Sequence, residues 1–148
     1  MTTICWDGTT LAADKRATNG GLIFTVTKIF RVRGCLVSAA GDFDRIMESI
    51  AWFADGADPA KLPPHHRSND DYVGLLVIWP NGLIEKYERG PVPYKIESPF
   101  FAVGSGRDFA MAAMHLGKTA VEAVEVAMAL DAGTGNGIDT LTLEIAKP

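Results

Sequence analysis

Thr2-Thr3-Ile4-Cys5-Trp6-Asp7-Gly8-Thr9-Thr10-Leu11-Ala12-Ala13 follows Met1 and decides how the chain folds. Thr2 to Trp6 and Thr9 to Ala13 read as two short strands. Asp7-Gly8 between them is a strong hairpin signal, because glycine takes a positive φ without a Cβ clash. Outward from that hairpin, Gly20-Gly21 introduces a second predicted pair, Leu22 to Val32 and Cys35 to Ala40, joined across Arg33-Gly34 and rich in β-branched residues. Four strands are therefore expected before any helix. After Gly41, Asp42 or Asp44 can cap a helix whose Ile46, Ile50 and Phe53 share one face and which stops near Gly56. Asp58 to Asp71, with Pro63-Pro64 and His65-His66, has no periodicity and reads as a connector. Tyr72 to Trp79, Leu83 to Arg89 and Phe100 to Val103 form a second strand set, with Pro80-Asn81-Gly82 as a turn. Ser105 to Leu116 is helical in pattern, and Thr119 with Glu122 is a capping box that opens a helix through Leu130. Thr140 to Ile145 closes the chain as a strand. Strands, helix, strands, two helices and a strand predict an α+β protein with segregated layers, folded as one domain over residues 1–148.

Composition narrows the function. The chain is 47% hydrophobic and 22% charged, an ordinary globular balance, and no apolar run reaches the length of a membrane span. Its formal charge of −4, with Lys and Arg scattered rather than striped, leaves no basic footprint for nucleic acid. The first residues have neither the basic start nor the apolar stretch of a secretory signal, so the expectation is a cytoplasmic protein whose N-terminus is altered only by loss of Met1. Cys5 and Cys35 have no metal spacing and read as core thiols. His65-His66 lack the spaced partners a metal site requires, and Gly104-Ser105-Gly106 lacks the lysine of a phosphate loop, so neither a metal nor a cofactor is expected.

One residue suggests chemistry by position. A threonine hydroxyl is a weak nucleophile, but a free α-amine with a pKa of about 8 can take its proton directly or through water. Removal of Met1 would leave Thr2 with such a base built in. A Met-Thr start is common, and Thr2-Thr3 also reads simply as the β-prone start of a strand. The following segments shift the balance. Ala12-Ala13-Asp14-Lys15-Arg16-Ala17-Thr18, Thr27-Lys28-Ile29, Ala39-Ala40-Gly41, Gly104-Ser105-Gly106 and Asp131-Ala132-Gly133-Thr134-Gly135 resemble, in order, the stations of proteasome β-subunits and the bacterial HslV-type peptidases. The resemblance spans nearly the whole chain.

That resemblance implies a four-layer αββα sandwich, two packed antiparallel sheets flanked by helices, known as the N-terminal-nucleophile hydrolase fold. It implies a threonine-type endopeptidase with Thr2 as nucleophile, Lys28 stabilising negative charge on the hydroxyl, and Asp14 holding Lys28 in its charged form. Gly41 resembles the glycine whose N–H faces the oxyanion. Ser105, Asp131 and Thr134 look like the groups that surround and tune the amine. Arg16 is read as a brace for Asp14 or a neighbouring loop. Substrate would add as an extended strand near Thr18 and Gly41, with Ala17, Val26, Phe30 and Ala39 lining an apolar first pocket. The family implies a homo-oligomeric ring enclosing its active sites, unfolded protein as substrate and an ATP-dependent unfoldase as a possible partner. The chain is short for the family, and the deficit falls after the Ile46 to Phe53 helix. Two other readings stay open: a catalytically silent ring that retains Met1, and an amidohydrolase of small amides.

Overall fold

Asp7 turns the chain back on itself as the sequence requires. In the computed structural model, which describes residues 2–64 and 74–143, its Oδ1 accepts hydrogen bonds from the amides of Thr9 and Thr10 at 2.9 and 2.8 Å, and Gly8 takes a φ of 101°. Strands β1 (Thr3–Trp6) and β2 (Thr10–Asp14) flank this turn in antiparallel register, Ile4 opposite Ala13 and Trp6 opposite Leu11. Asp7 has a second task. Its Oδ2 receives the amide of Ala120, the first residue of a distant helix, so one carboxylate closes the hairpin and holds a helix start.

The Gly20-Gly21 pair corrects the expectation for the next segment. Rather than leading into one long strand, it is the tip of an unanticipated hairpin between β3 (Arg16–Asn19) and β4 (Leu22–Thr25), with Arg16 opposite Thr25. The single strand expected over Leu22 to Val32 is interrupted at Val26-Thr27-Lys28 and resumes as β5 (Ile29–Val32). With β6 (Cys35–Ala40), six strands precede the first helix instead of four. Helix α1 (Phe43–Ala54) then buries Ile46, Ile50, Trp52 and Phe53, its N-cap being Asp42, which makes no side-chain cap bond. A 3-10 turn at Pro59–Lys61 is the helical element described between α1 and β7 (Gly74–Ile78). His65 and His66 lie outside the described residues. Then come β8 (Ile84–Tyr87), β9 (Tyr94–Ile96), which the sequence reading did not anticipate, and β10 (Phe101–Gly104). Helices α2 (Arg107–His115) and α3 (Ala120–Leu130) and strand β11 (Ile138–Thr142) complete the order. The capping box at Thr119 and Glu122 forms as expected.

These elements divide into two compact units, each described by itself: the described parts of Met1–Ile29 with Ser98–Thr142, and those of Phe30–Glu97 with Leu143–Pro148. In the first, an antiparallel sheet in the order β10-β1-β2-β11 is covered by α2 and α3. Its core is mostly small side chains, Cys5, Ala12 and Ala102 of the sheet against Ala110, Ala113, Ala120 and Ala123 of the helices. In the second, a sheet ordered β5-β6-β7-β8-β9 packs against α1. Cys35, Val37, Ala39, Leu75 and Val77 meet Ile46, Ile50, Trp52 and Phe53 there, each large side chain contributing about 1.5–3 kcal/mol by leaving water. Both cysteines are free and buried, as core thiols should be. The whole is mixed α+β built on antiparallel sheets, with three α-helices among the described residues. No described helix is long and apolar enough to cross a membrane.

Candidate active site

Thr2 and Thr3 enter β1, and Asp14 leaves β2, at the same end of the first unit's sheet, since Ile4 pairs with Ala13. Asp14 is fully buried. A carboxylate taken out of water needs partners for both oxygens, and it has them. Oδ1 accepts from the Thr3 amide at 3.0 Å and from Lys28 Nζ at 2.8 Å; Oδ2 accepts from the amides of Arg16 at 3.2 Å and Gly135 at 3.0 Å. Lys28, in the break between β4 and β5, is itself only 3% exposed. Burial pushes its ammonium below the ordinary lysine range; the hydrogen bond and charge of Asp14 pull it back, Arg16 lowers it further and Asp131 raises it.

A second group forms around the Thr2 nitrogen. Ser105, in the turn between β10 and α2, accepts a hydrogen bond from the Thr2 nitrogen at 3.2 Å and donates to Asp131 Oδ2 at 2.7 Å. Asp131, the C-cap of α3, also accepts from Thr134 Oγ1 at 2.6 Å and from the Gly133 amide at 3.4 Å. Chiefly the Thr134 bond, aided by Ser105 and Gly133, holds its carboxyl below the usual range against some desolvation. Thr134 Oγ1 lies 2.7 Å from Thr3 Oγ1. With the single Thr134 proton committed to Asp131, Thr3 must be the donor in that pair. The result is one run of hydrogen-bonded residues, Thr2, Ser105, Asp131, Thr134, Thr3, Asp14 and Lys28, in which Thr3 joins the two halves, its hydroxyl meeting Thr134 and its backbone amide Asp14. All six residues expected to be catalytic lie on it, joined by Thr3, which sequence reading passed over as part of a strand.

Close backbone approach makes this possible. A Cβ on Gly106 would collide with Thr3 Oγ1, and one on Gly104, where φ is 101°, would collide with the Thr2 carbonyl. A Cβ on Gly135 would strike the Arg16 guanidinium at 2.5 Å. The Gly-x-Gly spacings at 104–106 and 133–137 were the available signals for this crowding. Arg16 spans to the loop after α3, with Nε on Asn136 Oδ1 at 3.1 Å and Nη1 on the Ala132 carbonyl at 2.8 Å.

The residues expected to bind substrate fall in both units. Ala17 and Thr18 lie on β3, whose one strand neighbour among the described residues is β4, and Val26 just beyond β4 donates its amide to the Lys15 carbonyl at 2.9 Å. In the second unit, Phe30 is on β5, Ala39 is buried on β6, and Gly41 is exposed between β6 and α1. Gly41 has a φ of 138°, a conformation that L side chains rarely adopt. Among the described residues no group of three or more His, Cys, Asp and Glu side chains could hold a metal ion.

The fold comes first: this is the α+β, antiparallel-sheet architecture known as the N-terminal-nucleophile hydrolase fold. The solved structure of Thiobacillus denitrificans BPH in complex with epoxomicin matches with a TM-score of 0.72 over 99% of both chains at 20% identity. Another structure of Thiobacillus denitrificans BPH matches with a TM-score of 0.69 at 22% identity and the same coverage. In sequence, the chain is similar to proteasome β-subunits along 95% of its length. Proteasome subunit beta 1 of Thermococcus onnurineus is 27% identical over an alignment of 175 residues that covers 85% of that protein, and proteasome subunit beta 2 of Pyrococcus abyssi is 27% identical with 83% covered. The alignment is longer than this 148-residue chain, so the relatives carry segments that it lacks. No family model matches the chain.

Proposed function

We propose that the chain is a threonine-type endopeptidase, with Thr2 as nucleophile once Met1 is removed. The observation that supports this reading is the run of hydrogen-bonded residues from the Thr2 nitrogen through Ser105, Asp131, Thr134 and Thr3 to the buried Asp14–Lys28 pair. Loss of Met1 turns the Thr2 nitrogen into an α-amine. That amine accepts the Oγ1 proton, directly or through water, as Oγ1 bonds to the scissile carbonyl carbon. The same proton passes to the departing amine when the C–N bond breaks, leaving an ester on Thr2. Water, deprotonated by the α-amine, then attacks the ester and restores the hydroxyl. Lys28 favours negative charge on Oγ1, and Asp14 keeps Lys28 charged against its burial. Ser105, Asp131 and Thr134 orient the amine.

The family resemblance supports the remaining assignments. In the first unit, substrate lies extended along β3 at Thr18, with Ala17 and Val26 favouring an apolar side chain before the cut; Gly41, Phe30 and Ala39 keep the oxyanion and pocket roles that the resemblance implies. The whole of 1–148 acts as one peptidase domain in a homo-oligomeric cytoplasmic ring, on peptides or unfolded protein delivered by an ATP-dependent unfoldase, without a cofactor. Epoxomicin on Thiobacillus denitrificans BPH suggests the probe. An intact mass lacking methionine that gains one peptide epoxyketone, and loses that gain in Thr2→Ala, supports the reading. A mass that retains Met1 and gains nothing sinks it in favour of a silent ring.

A further inference from the structure

Asn136 uses its whole side chain. Its Oδ1 accepts from Arg16 Nε at 3.1 Å, while Nδ2 donates to the Phe24 carbonyl at 3.1 Å and to Thr25 Oγ1 at 3.2 Å. Arg16 and Thr25 are opposite one another at the base of the β3–β4 hairpin. One amide therefore grips both strands at their root. Its backbone sits at a φ of 65°, in the left-handed region that asparagine tolerates better than most residues. Arg16 extends the grip to the start of the same loop through the Ala132 carbonyl, and Gly135 completes it by donating to Asp14 and accepting from the Lys15 amide at 3.0 Å.

The segment held in this way is the one that delivers Asp131 and Thr134. We propose that Arg16 and Asn136 are positioning residues that lock the 131–137 loop to the β3–β4 hairpin, so that the Asp131 carboxylate stays in register with the Thr2 nitrogen and with the strand edge that receives substrate. The proposal rests on the peptidase reading for its consequence, not for its geometry. Neither residue touches Thr2 in the hydrogen-bond network; each acts through Asp131 and Thr134.

The consequence has a definite sign. Around the Thr2 nitrogen the charged groups are Asp131 from the loop, Asp14 at the end of β2, Lys28 between β4 and β5, Arg16 on β3, and Arg107 in the first turn of α2, which donates to the Gly104 carbonyl. An aspartate held close favours the protonated amine and raises the pH at which it becomes a base. Releasing the loop removes that influence, so the amine titrates at lower pH while the loss of orientation slows reaction.

The test uses the full chain beginning at Thr2, with Met1 removed, as wild type, Asn136→Gly and Arg16→Lys. Glycine keeps the positive φ and removes only the side chain, and lysine keeps the charge but cannot hold two acceptors in the guanidinium fork. The Thr2 amine is titrated by its rate of acylation with acetic anhydride across pH, read from the mass of the N-terminal peptide. The midpoint is expected to fall by about half a pH unit or more in Asn136→Gly and by less in Arg16→Lys. The rate of epoxyketone adduct formation on the pH plateau is expected to fall roughly tenfold to a hundredfold in Asn136→Gly. Midpoints that coincide with wild type overturn the proposal, even if the variants are less stable, because a purely structural brace would lower the amount of folded protein without moving the titration. A wild type whose amine titrates but which forms no adduct removes the peptidase reading alone, and the titration of the variants still decides the positioning role.

Discussion

Asp14 has two partners on each carboxylate oxygen, and three of the four are backbone amides. The three amides would still donate to it without Lys28, whereas an amide in its place would turn an NH2 group against donors on one side or the other. Asp14→Asn should therefore cost more stability than Lys28→Met, about 3 kcal/mol against about 2 kcal/mol, measured by urea unfolding. Equal costs would mean that the ion pair, not the amides, holds the carboxylate. The pair also gives a pH signature. Burial depresses Lys28 below the ordinary 10.5, so between the two values the unfolded chain binds the extra proton. The stability Lys28 contributes is present in full above about 10.5 and is lost as pH falls through the depressed value. The gap between wild type and Lys28→Met should thus widen as the pH is raised through that alkaline window. A constant gap would show that folding does not depress this lysine.

At the scale of elements, two turn-to-helix junctions offer a contrast. Thr119 accepts the Glu122 amide at 3.2 Å and Glu122 returns to the Thr119 amide at 3.1 Å, an exposed local device. Thr119→Ala should lower stability by about 1 kcal/mol and leave the adduct rate on Thr2 unchanged. Gly106, at the N-cap of α2, is buried against Thr3 Oγ1, so Gly106→Ala must push apart the Thr3–Thr134 contact and should abolish adduct formation as well as destabilise. Intact-mass kinetics alongside urea curves separate the two; a Gly106→Ala protein that still reacts at the wild-type rate would remove Thr3 from the working path. The same contrast explains what was legible beforehand. The capping box and the Asp7-Gly8 turn are read from residues a few positions apart, and both formed where expected. The β3–β4 hairpin was missed because Leu22, Ile23 and Phe24 are apolar yet exposed, so their pattern imitates a long core strand and hides the break at Val26-Thr27-Lys28. Asn136 was invisible for a different reason: its partners are Arg16, Phe24 and Thr25, more than a hundred residues away.

At the scale of the whole chain, connectivity determines when the site can exist. The second unit is built from neighbours in sequence: Ile78 pairs with Ile84 across a tight turn, and Lys86 with Tyr94. The first unit closes over far greater distances, Thr3 with Gly104 and Thr10 with Thr142. Loop-closure entropy must be overcome before such distant pairings stabilise anything, and that orders the events. The β7–β8–β9 meander should form first and the β1–β10 and β2–β11 ladders last. The candidate site follows those ladders, because Asp14 obtains Gly135, and Thr2 obtains Ser105, only when the ends of the chain meet. Pulse-labelling hydrogen exchange during refolding from urea reads this directly. Amides of Val77 and Glu85 should be protected at early times, while those of Gly135 and of Val103 on β10 acquire protection late and together. Early protection of Gly135 would mean that the site nucleates the fold, and the glycine crowding around Thr2 would then be a requirement of folding rather than of chemistry.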